Sequence, residues 1–127
     1  NGKTGPFGQY TYARIRSILR KAEAVTSGKG FGLGLSATPN EKEVALIQKI
    51  AELPAVVQQC AQTYNPAGMA NYAYELAKEF NQYYHDYSIL REEDADVRAL
   101  RLTLCDTVAR AIATALGLLG IEVPERM

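Results

Sequence analysis

The sequence has 127 residues, of which 47% are hydrophobic and 22% carry a charge, and its formal net charge is zero. This composition excludes a disordered chain, and the length supports one domain with a single hydrophobic core. No apolar run approaches the ~20 residues that a membrane-spanning helix needs, so we expect no membrane partner. Because the first residue is not Met, we expect residues 1–127 to be one domain of a longer protein.

The segment from Thr4 to Val25 predicts a first helix with two distinct faces. One face is the apolar stripe expected to pack on the core, formed by Ile15, Ile18, Leu19, Ala22 and Val25. An adjacent arc, only about 80° wide at helical spacing, carries Phe7, Tyr10, Arg14, Ser17 and Lys21. Aromatic rings stack on unpaired bases and cations contact phosphates, so this arc is suited to single-stranded nucleic acid. The same pattern also fits rings that extend the core beside a solvated charged flank.

Charge is concentrated at the start of the chain. Residues 1–30 contain six Lys and Arg residues and only Glu23 as an acid, which gives this segment a net charge of +5. The rest of the chain must therefore be acidic. A basic first helix on an otherwise acidic domain favours a localised phosphate contact over a general nucleic-acid coat.

The sequence contains no catalytic or metal-binding arrangement. Cys60 and Cys105 each lie in an apolar helical pattern, as buried thiols do in a reducing cytosol. His85 is the only histidine, so neither a histidine-based metal cluster nor a Ser-His-Asp arrangement can form. The glycines that alternate from Gly28 to Gly34 do not have the spacing of a phosphate-binding loop and predict a surface loop.

Proline and cap residues predict the remaining helices. Thr38, Pro39 and Glu41 form the pattern of a capping box, and the second helix should run to Leu53. Pro54 should begin a short third helix, Asn65-Pro66 a fourth, and the acidic segment 91–96 should cap a long fifth helix that ends at Gly120. The expected inward positions of the second and third helices are Leu46, Ile47, Ile50, Leu53, Val56, Val57, Cys60 and Ala61.

Apolar positions at helical spacing continue through the last two helices, and no segment has a convincing strand pattern. The fold is therefore predicted to be an all-α, single-domain bundle of four to five helices. The expected inward positions here are Met69, Tyr72, Ala73, Leu76, Ala77, Phe80, Tyr84, Val97, Leu100, Leu104, Val108, Ala111, Ile112, Ala115 and Leu119.

The amino-acid sequences of several segments resemble those of the anticodon-binding domain, called DALR, of bacterial arginyl-tRNA synthetase. These segments are 5–10 (GPFGQY), 12–14 (YAR), 17–21 (SILRK), 53–54 (LP), 74–77 (YELA), 80–85 (FNQYYH), 98–102 (RALRL) and 117–127 (GLLGIEVPERM). The final Pro-Glu-Arg-Met is the most specific of them, because no packing rule demands that ending. The sequence departs from the family pattern in having Arg98 for Asp, Tyr12 for a frequent His, and Phe7 for a frequent Tyr.

The resemblance implies recognition of the anticodon loop of arginine tRNA by an α-helical domain. Residues that would contact the loop are Phe7, Tyr10, Arg14, Tyr84, Arg126 and Met127, and the charge pattern adds Lys21. The complete enzyme would use ATP and Mg²⁺ to attach arginine to its tRNA, whereas this chain should hold no cofactor and catalyse nothing. The implied partners are arginine tRNA and the catalytic domain of the same chain, without DNA, and the implied location is the cytoplasm.

Three other functions fit parts of the sequence. The same helical domain could belong to another class I synthetase, such as one similar to the cysteinyl or glycyl enzyme. A helical bundle could also be a protein–protein scaffold, which would expose a large apolar patch. A small nucleotide enzyme built on the Gly-rich loop is the third, and binding of Mg-ATP would be its signature.

Overall fold

The protein is all-α in a computed structural model that describes residues 4–25 and 36–125. Five helices follow one another along these residues, in agreement with the all-α bundle predicted from the sequence. They are α1 (Thr4–Val25), α2 (Glu41–Ala51), α3 (Leu53–Thr63), α4 (Pro66–Asp86) and α5 (Ala95–Leu118). The Gly-rich stretch predicted to be a surface loop lies outside the described residues, as does the side chain of Val25.

Helices α1, α4 and α5 enclose the core. Helices α1 and α4 run in the same direction, because Phe7 lies against Tyr74 and, further along both helices, Arg14 lies against Tyr84. Helix α5 runs antiparallel to them and approaches α1 closely. A Cβ added to Gly8 would come within 3.0 Å of the end of the Leu116 side chain, so a larger residue there would require that side chain to shift by a few tenths of an ångström.

The core contains most of the apolar residues that the periodicity predicted. The predicted inward positions that are buried are Ile15, Ile18, Leu19, Ala22, Leu46, Met69, Tyr72, Ala73, Leu76, Ala77, Phe80, Leu104, Val108, Ala111, Ile112 and Ala115. Ile47 and Ala61 were predicted inward but are exposed. Helices α2 and α3 lie at the periphery of the bundle, and each contacts the core along one side only, so residues on their other sides face solvent. Helix α3 has no fully buried residue, although Val56, Val57 and Cys60 pack against the core.

Three helix ends match the prediction, namely the starts of α4 and α5 and the end of α5. Asn65 caps α4 with Pro66 at its start, and Asp94 caps α5. At the end of α5, Gly120 takes φ +77°, and the Ile121 N–H donates to the Leu116 carbonyl at 2.9 Å, which closes the helix in a Schellman motif.

The start of α2 corrects the predicted capping box. The cap is Asn40 and not Thr38, and the reciprocal partner is Glu43 and not Glu41. The Asn40 side chain accepts from the Glu43 N–H at 2.9 Å, and the Asn40 N–H donates to the Glu43 carboxylate at 2.8 Å. Both positions fit the cap-x-x-Glu pattern, but only Glu43 is buried against the bundle, where Tyr83 and Arg101 bind its other oxygen.

Candidate nucleic-acid interface

A groove runs along the outer face of α1 and ends at the C-terminal part of α4. Its volume is about 460 Å³. Three cations line it, and none of the described residues that line it is acidic. The side chains that give the groove its character are Tyr10, Arg14, Ser17, Arg20, Lys21 and Tyr84.

Arg14 and Tyr84 form the centre of the groove. The guanidinium carbon of Arg14 lies 4.6 Å from the centroid of the Tyr84 ring, within the range of a cation–π contact. The Tyr84 ring is nearly parallel to the fully buried ring of Phe80, at an interplanar angle of 10° and a centroid separation of 6.1 Å. Tyr84 is therefore a half-buried residue that belongs to both the core and the groove.

A short chain of hydrogen bonds connects Arg14 to the interior. Nη1 of Arg14 donates to Oδ1 of Asn81 at 2.7 Å, and Nδ2 of Asn81 donates to the hydroxyl of Thr11 at 2.9 Å. Thr11 is fully buried, and its hydroxyl donates to the backbone carbonyl of Phe7. Asn81 thus bridges α1 and α4 beside the groove, and it also lines a neighbouring depression.

Tyr10 and Lys21 lie at opposite ends of the groove and both face solvent. Tyr10 has 47% of its surface exposed, which is high for a tyrosine of a folded domain. Lys21 lies three turns further along α1 and is also exposed. The groove therefore offers an accessible ring at one end and an accessible ammonium at the other, with the Arg14–Tyr84 pair between them.

Phe7 lies apart from this groove, although the sequence pattern put it on the same arc. Its ring lies 5.4 Å from the Tyr74 ring and packs against the core. Its exposed edge lines a separate depression together with Lys42, Lys78 and His85. The structure therefore brings together Tyr10, Arg14, Lys21 and Tyr84, and it places Phe7 on a neighbouring surface.

The end of the chain returns along α1. Nε2 of Gln9 donates to the carbonyl of Glu122 at 2.8 Å. The Glu125 carboxylate pairs with Nε of Arg16 at 3.1 Å, and its carbonyl accepts from Nη1 of Arg20 at 3.2 Å. Arg126 and Met127, both predicted to contact tRNA, lie outside the described residues.

The family follows from sequence comparison. A family model described as the DALR anticodon binding domain matches residues 8–127. The chain belongs to this family. It is 53% identical over all its residues to the arginine–tRNA ligase of Bacteroides fragilis and 52% identical to that of Porphyromonas gingivalis.

Solved structures agree with this assignment. Arginyl-tRNA synthetase of Thermus thermophilus matches 97% of the chain with a TM-score of 0.84 and 35% identity. A putative arginyl-tRNA synthetase of Campylobacter jejuni matches 98% with a TM-score of 0.82 and 25% identity. The chain spans about a fifth of the length of the curated relatives it matches, 21% in both ligases named above.

Sequence reasoning missed a second polar cluster of the DALR domain, below the start of α2. The Glu43 carboxylate is only 2% exposed, and it accepts from the Tyr83 hydroxyl at 2.6 Å and from Nε of Arg101 at 3.0 Å. Arg101 also pairs with Glu92 at 3.2 Å and lies 5.3 Å from the Tyr87 ring centroid. Burial and the hydrogen bond to Glu43 raise the pKa of Tyr83 well above its usual value. The cluster joins α2, α4 and α5.

Cys105 is fully buried in the core of the DALR domain. Burial raises the pKa of the Cys105 thiol, as expected of a structural cysteine. Among residues 4–25 and 36–125, no group of His, Cys, Asp or Glu side chains is placed to hold a metal ion. None of the described helices is long and apolar enough to cross a membrane.

An apolar groove of about 370 Å³ lies at the opposite end of the bundle. It is bounded by the end of α3, the start of α4 and the end of α5, and its lining includes Tyr64, Met69 and Leu118. Tyr64 is 90% exposed and Leu118 57% exposed. Met69 and Tyr84 are fifteen residues apart on α4, so about 22 Å separates this groove from the basic one.

Proposed function

We propose that the chain binds the anticodon loop of an arginine tRNA in the groove between α1 and the end of α4. The observation that carries the proposal is the grouping of an exposed ring, a cation–π pair and further cations in one groove. The names of the relatives, which are arginine–tRNA ligases, supply the amino acid and the tRNA.

The chemistry of the groove matches that of a loop of unpaired nucleotides. Bases of an anticodon loop are splayed, so the half-exposed Tyr10 ring can stack on one of them. The guanidinium of Arg14 can read a base edge or bind a phosphate with donors that Asn81 does not use. Lys21 at the far end of the groove suits a phosphate. Phe7, which lies on the neighbouring surface, would contact only a loop that extends beyond the groove.

The proposed binding of the anticodon loop also involves the C-terminal tail, residues 122–127. Glu125 lies beside Arg16 and Arg20, and Arg20 also lines the groove. We infer that Arg126 and Met127, which follow directly, contact the bound loop from the α1 side.

We further propose that residues 1–127 form one domain of a longer cytoplasmic synthetase, because the matched ligases are about five times as long. The complete enzyme would use ATP and Mg²⁺ to attach arginine to its tRNA. The 127-residue chain should show no arginine-dependent exchange between ATP and pyrophosphate. Exchange catalysed by a clean preparation would contradict a role in recognition alone.

Titration with an arginine tRNA anticodon stem-loop at several salt concentrations tests the binding proposal. Log affinity should fall linearly with log salt, and Lys21→Ala should flatten the slope by about 0.7–0.9 if Lys21 neutralises one phosphate. Lys78→Ala, a change of an exposed lysine outside the groove, is the matched control and should leave the slope unchanged. Equal binding of stem-loops from cysteine or glycine tRNA would contradict arginine specificity, and absence of any stem-loop binding would contradict the function.

The apolar groove is assigned to a different partner. Its lining contains no charged residue among those described, so it is unsuited to phosphate, and it lies at the far end of α4. We propose that the remainder of the synthetase chain covers it, since soluble monomers rarely expose large apolar patches. Amide hydrogen exchange at Tyr64 and Leu118 should slow when the domain is part of the complete synthetase. Identical exchange in both contexts would contradict this assignment.

A further inference from the structure

The amide of Asn81 connects the groove to the buried interior through three hydrogen bonds. Its Nδ2 donates to the Thr11 hydroxyl at 2.9 Å and to the carbonyl of Ala77, one turn earlier on α4, at 2.8 Å. Its Oδ1 accepts from Nη1 of Arg14 at 2.7 Å. Each end of the amide therefore has its own set of partners.

These partners determine which way the amide points. The single hydrogen of the Thr11 hydroxyl is donated to the carbonyl of Phe7 at 2.9 Å, so the Thr11 oxygen is left as an acceptor. A carbonyl such as that of Ala77 is also an acceptor. Only the NH₂ end of Asn81 can satisfy both, and the oxygen must then face Arg14.

The consequence falls on Arg14. An arginine side chain is long and loses much rotamer freedom when a ligand immobilises it. Here the guanidinium is held before any ligand binds, by the Asn81 oxygen on one side and by the Tyr84 ring at 4.6 Å. Among the described residues Arg14 forms no ion pair with a carboxylate, so its charge is not neutralised by the contacts that hold it.

Resting on the proposed function, we propose that Asn81 is a positioning residue for the anticodon loop and that Thr11 orients it. Asn81 acts through Arg14, which it presents in the geometry that binds the loop. The competing role is a purely structural one, in which Asn81 only joins α1 to α4. The two roles differ in whether the effect of Asn81 on binding depends on Arg14.

A double-mutant cycle in stem-loop binding separates the two roles. Asn81→Ala should weaken binding roughly tenfold, the range of a hydrogen bond to a charged group. Added to Arg14→Ala, it should cause no further loss, because the residue it positions is gone. If the two losses multiply, Asn81 does not act through Arg14 and the proposal is overturned. Asn71→Ala, a change of an exposed asparagine on the same helix, is the matched control and should not affect binding.

A second measurement uses the free protein and does not depend on tRNA. The Tyr84 ring should shift the NMR resonances of the Arg14 side chain upfield, and Asn81→Ala should move them toward the values of a free arginine. Thr11→Val removes one of the two acceptors that orient the Asn81 amide and leaves only the Ala77 carbonyl, so it should move the resonances in the same direction by a smaller amount, and Thr11→Ser should not move them. If Asn81→Ala fails to fold, the Thr11→Val variant tests the positioning role alone: a movement of the Arg14 resonances supports that role, and unchanged resonances overturn it.

The two measurements distinguish the two proposals. Unchanged Arg14 resonances in both Asn81→Ala and Thr11→Val would overturn the positioning role, whatever the binding result. If the resonances move but the wild-type chain binds no stem-loop, the anticodon proposal fails, and with it the role assigned to Asn81 in binding.

Discussion

Tyr10 and Ile15 lie on the same helix, yet their replacement by Ala tests different properties of the domain. Ile15 is fully buried, whereas Tyr10 lines the groove and has nearly half of its surface exposed to solvent. Removing the Ile15 side chain loses its transfer free energy and leaves a cavity, so Ile15→Ala should lower the free energy of unfolding by about 2–5 kcal/mol. Tyr10→Ala leaves no enclosed cavity, and we expect a loss on the order of 1 kcal/mol or less.

Thermal unfolding and stem-loop titration on the same variants measure both properties. For a domain of this size, 1 kcal/mol corresponds to roughly 4 °C in Tm, so Ile15→Ala should melt roughly 8–20 °C lower. Tyr10→Ala should melt within roughly 4 °C of the wild type but bind the stem-loop about 1–3 kcal/mol more weakly, the value of one stacked base. Tyr64→Ala, which removes an exposed tyrosine at the other end of the bundle, should leave binding unchanged.

Either of two results would contradict the assignment of Tyr10 to the groove. If Tyr10→Ala lowers Tm as much as Ile15→Ala does, the Tyr10 ring belongs to the core and the groove has no stacking platform. If Tyr10→Ala binds the stem-loop as tightly as the wild type, the exposed ring has another purpose.

Three further predictions concern stability. Tyr64→Gly should stabilise the domain by about 0.5–1 kcal/mol in urea unfolding, because Tyr64 ends α3 at φ +52°, where glycine is unstrained. Arg101→Met should destabilise it by about 3–5 kcal/mol, since it leaves the buried Glu43 carboxylate without its cation, whereas Arg110→Met, at an exposed pair, should cost about 1 kcal/mol or less. At alkaline pH, stability should fall by about 1.4 kcal/mol per pH unit for each buried tyrosine, because burial raises the pKa of Tyr72 to about 12 and also raises that of Tyr83.

The loss of stability at alkaline pH follows from the raised pKa values of Tyr72 and Tyr83. An unfolded tyrosine ionises near pH 10, so the stabilisation is complete below that pH and is lost as pH rises toward the folded pKa. Between pH 10 and 11.5, Tyr83→Phe should reduce the fall of the unfolding free energy with pH by about 1.4 kcal/mol per pH unit. An unchanged slope would contradict the raised pKa of Tyr83. A Tyr64→Gly variant that melts lower than the wild type, or Arg101→Met and Arg110→Met variants of equal stability, would contradict the other two predictions.

Periodicity was enough to predict the core faces of α1, α4 and α5, because these helices are long and each packs on the core along a continuous stripe. It failed for Ile47 on α2, since a short peripheral helix buries a narrower stripe than its apolar residues suggest. The cap pattern of the sequence predicted Thr38 as the cap of α2, which is wrong, because the cap is Asn40. The choice depends on Tyr83 and Arg101, which are distant in sequence.

The candidate site shows the same limit. Helical spacing alone put Phe7 beside Tyr10, but the position of Tyr74 on α4 draws the Phe7 ring away from the groove. Asn81, which is partly exposed, and the buried Thr11 were not found, because a polar residue that bridges two helices has no local sequence signal. The resemblance to the DALR domain covered the segment 80–85 that contains Asn81, and it indicated a role only for Tyr84.

The proposed function requires a chain of zero net charge to bind a polyanion at one place, and the distribution of charge on α1 is compatible with this. Helix α1 carries four cations at residues 14–21, but they have different neighbours. Glu125 and Asp106 pair with Arg16 on the flank of the helix that faces α5 and the tail, and Glu125 also pairs with Arg20, which lies between that flank and the groove. Arg14 is held instead by a neutral amide and a ring, so it keeps its full charge in the groove. Under the proposed function, a phosphate chain that approaches the domain would therefore be directed to the face where Arg14 lies and Tyr10 is exposed.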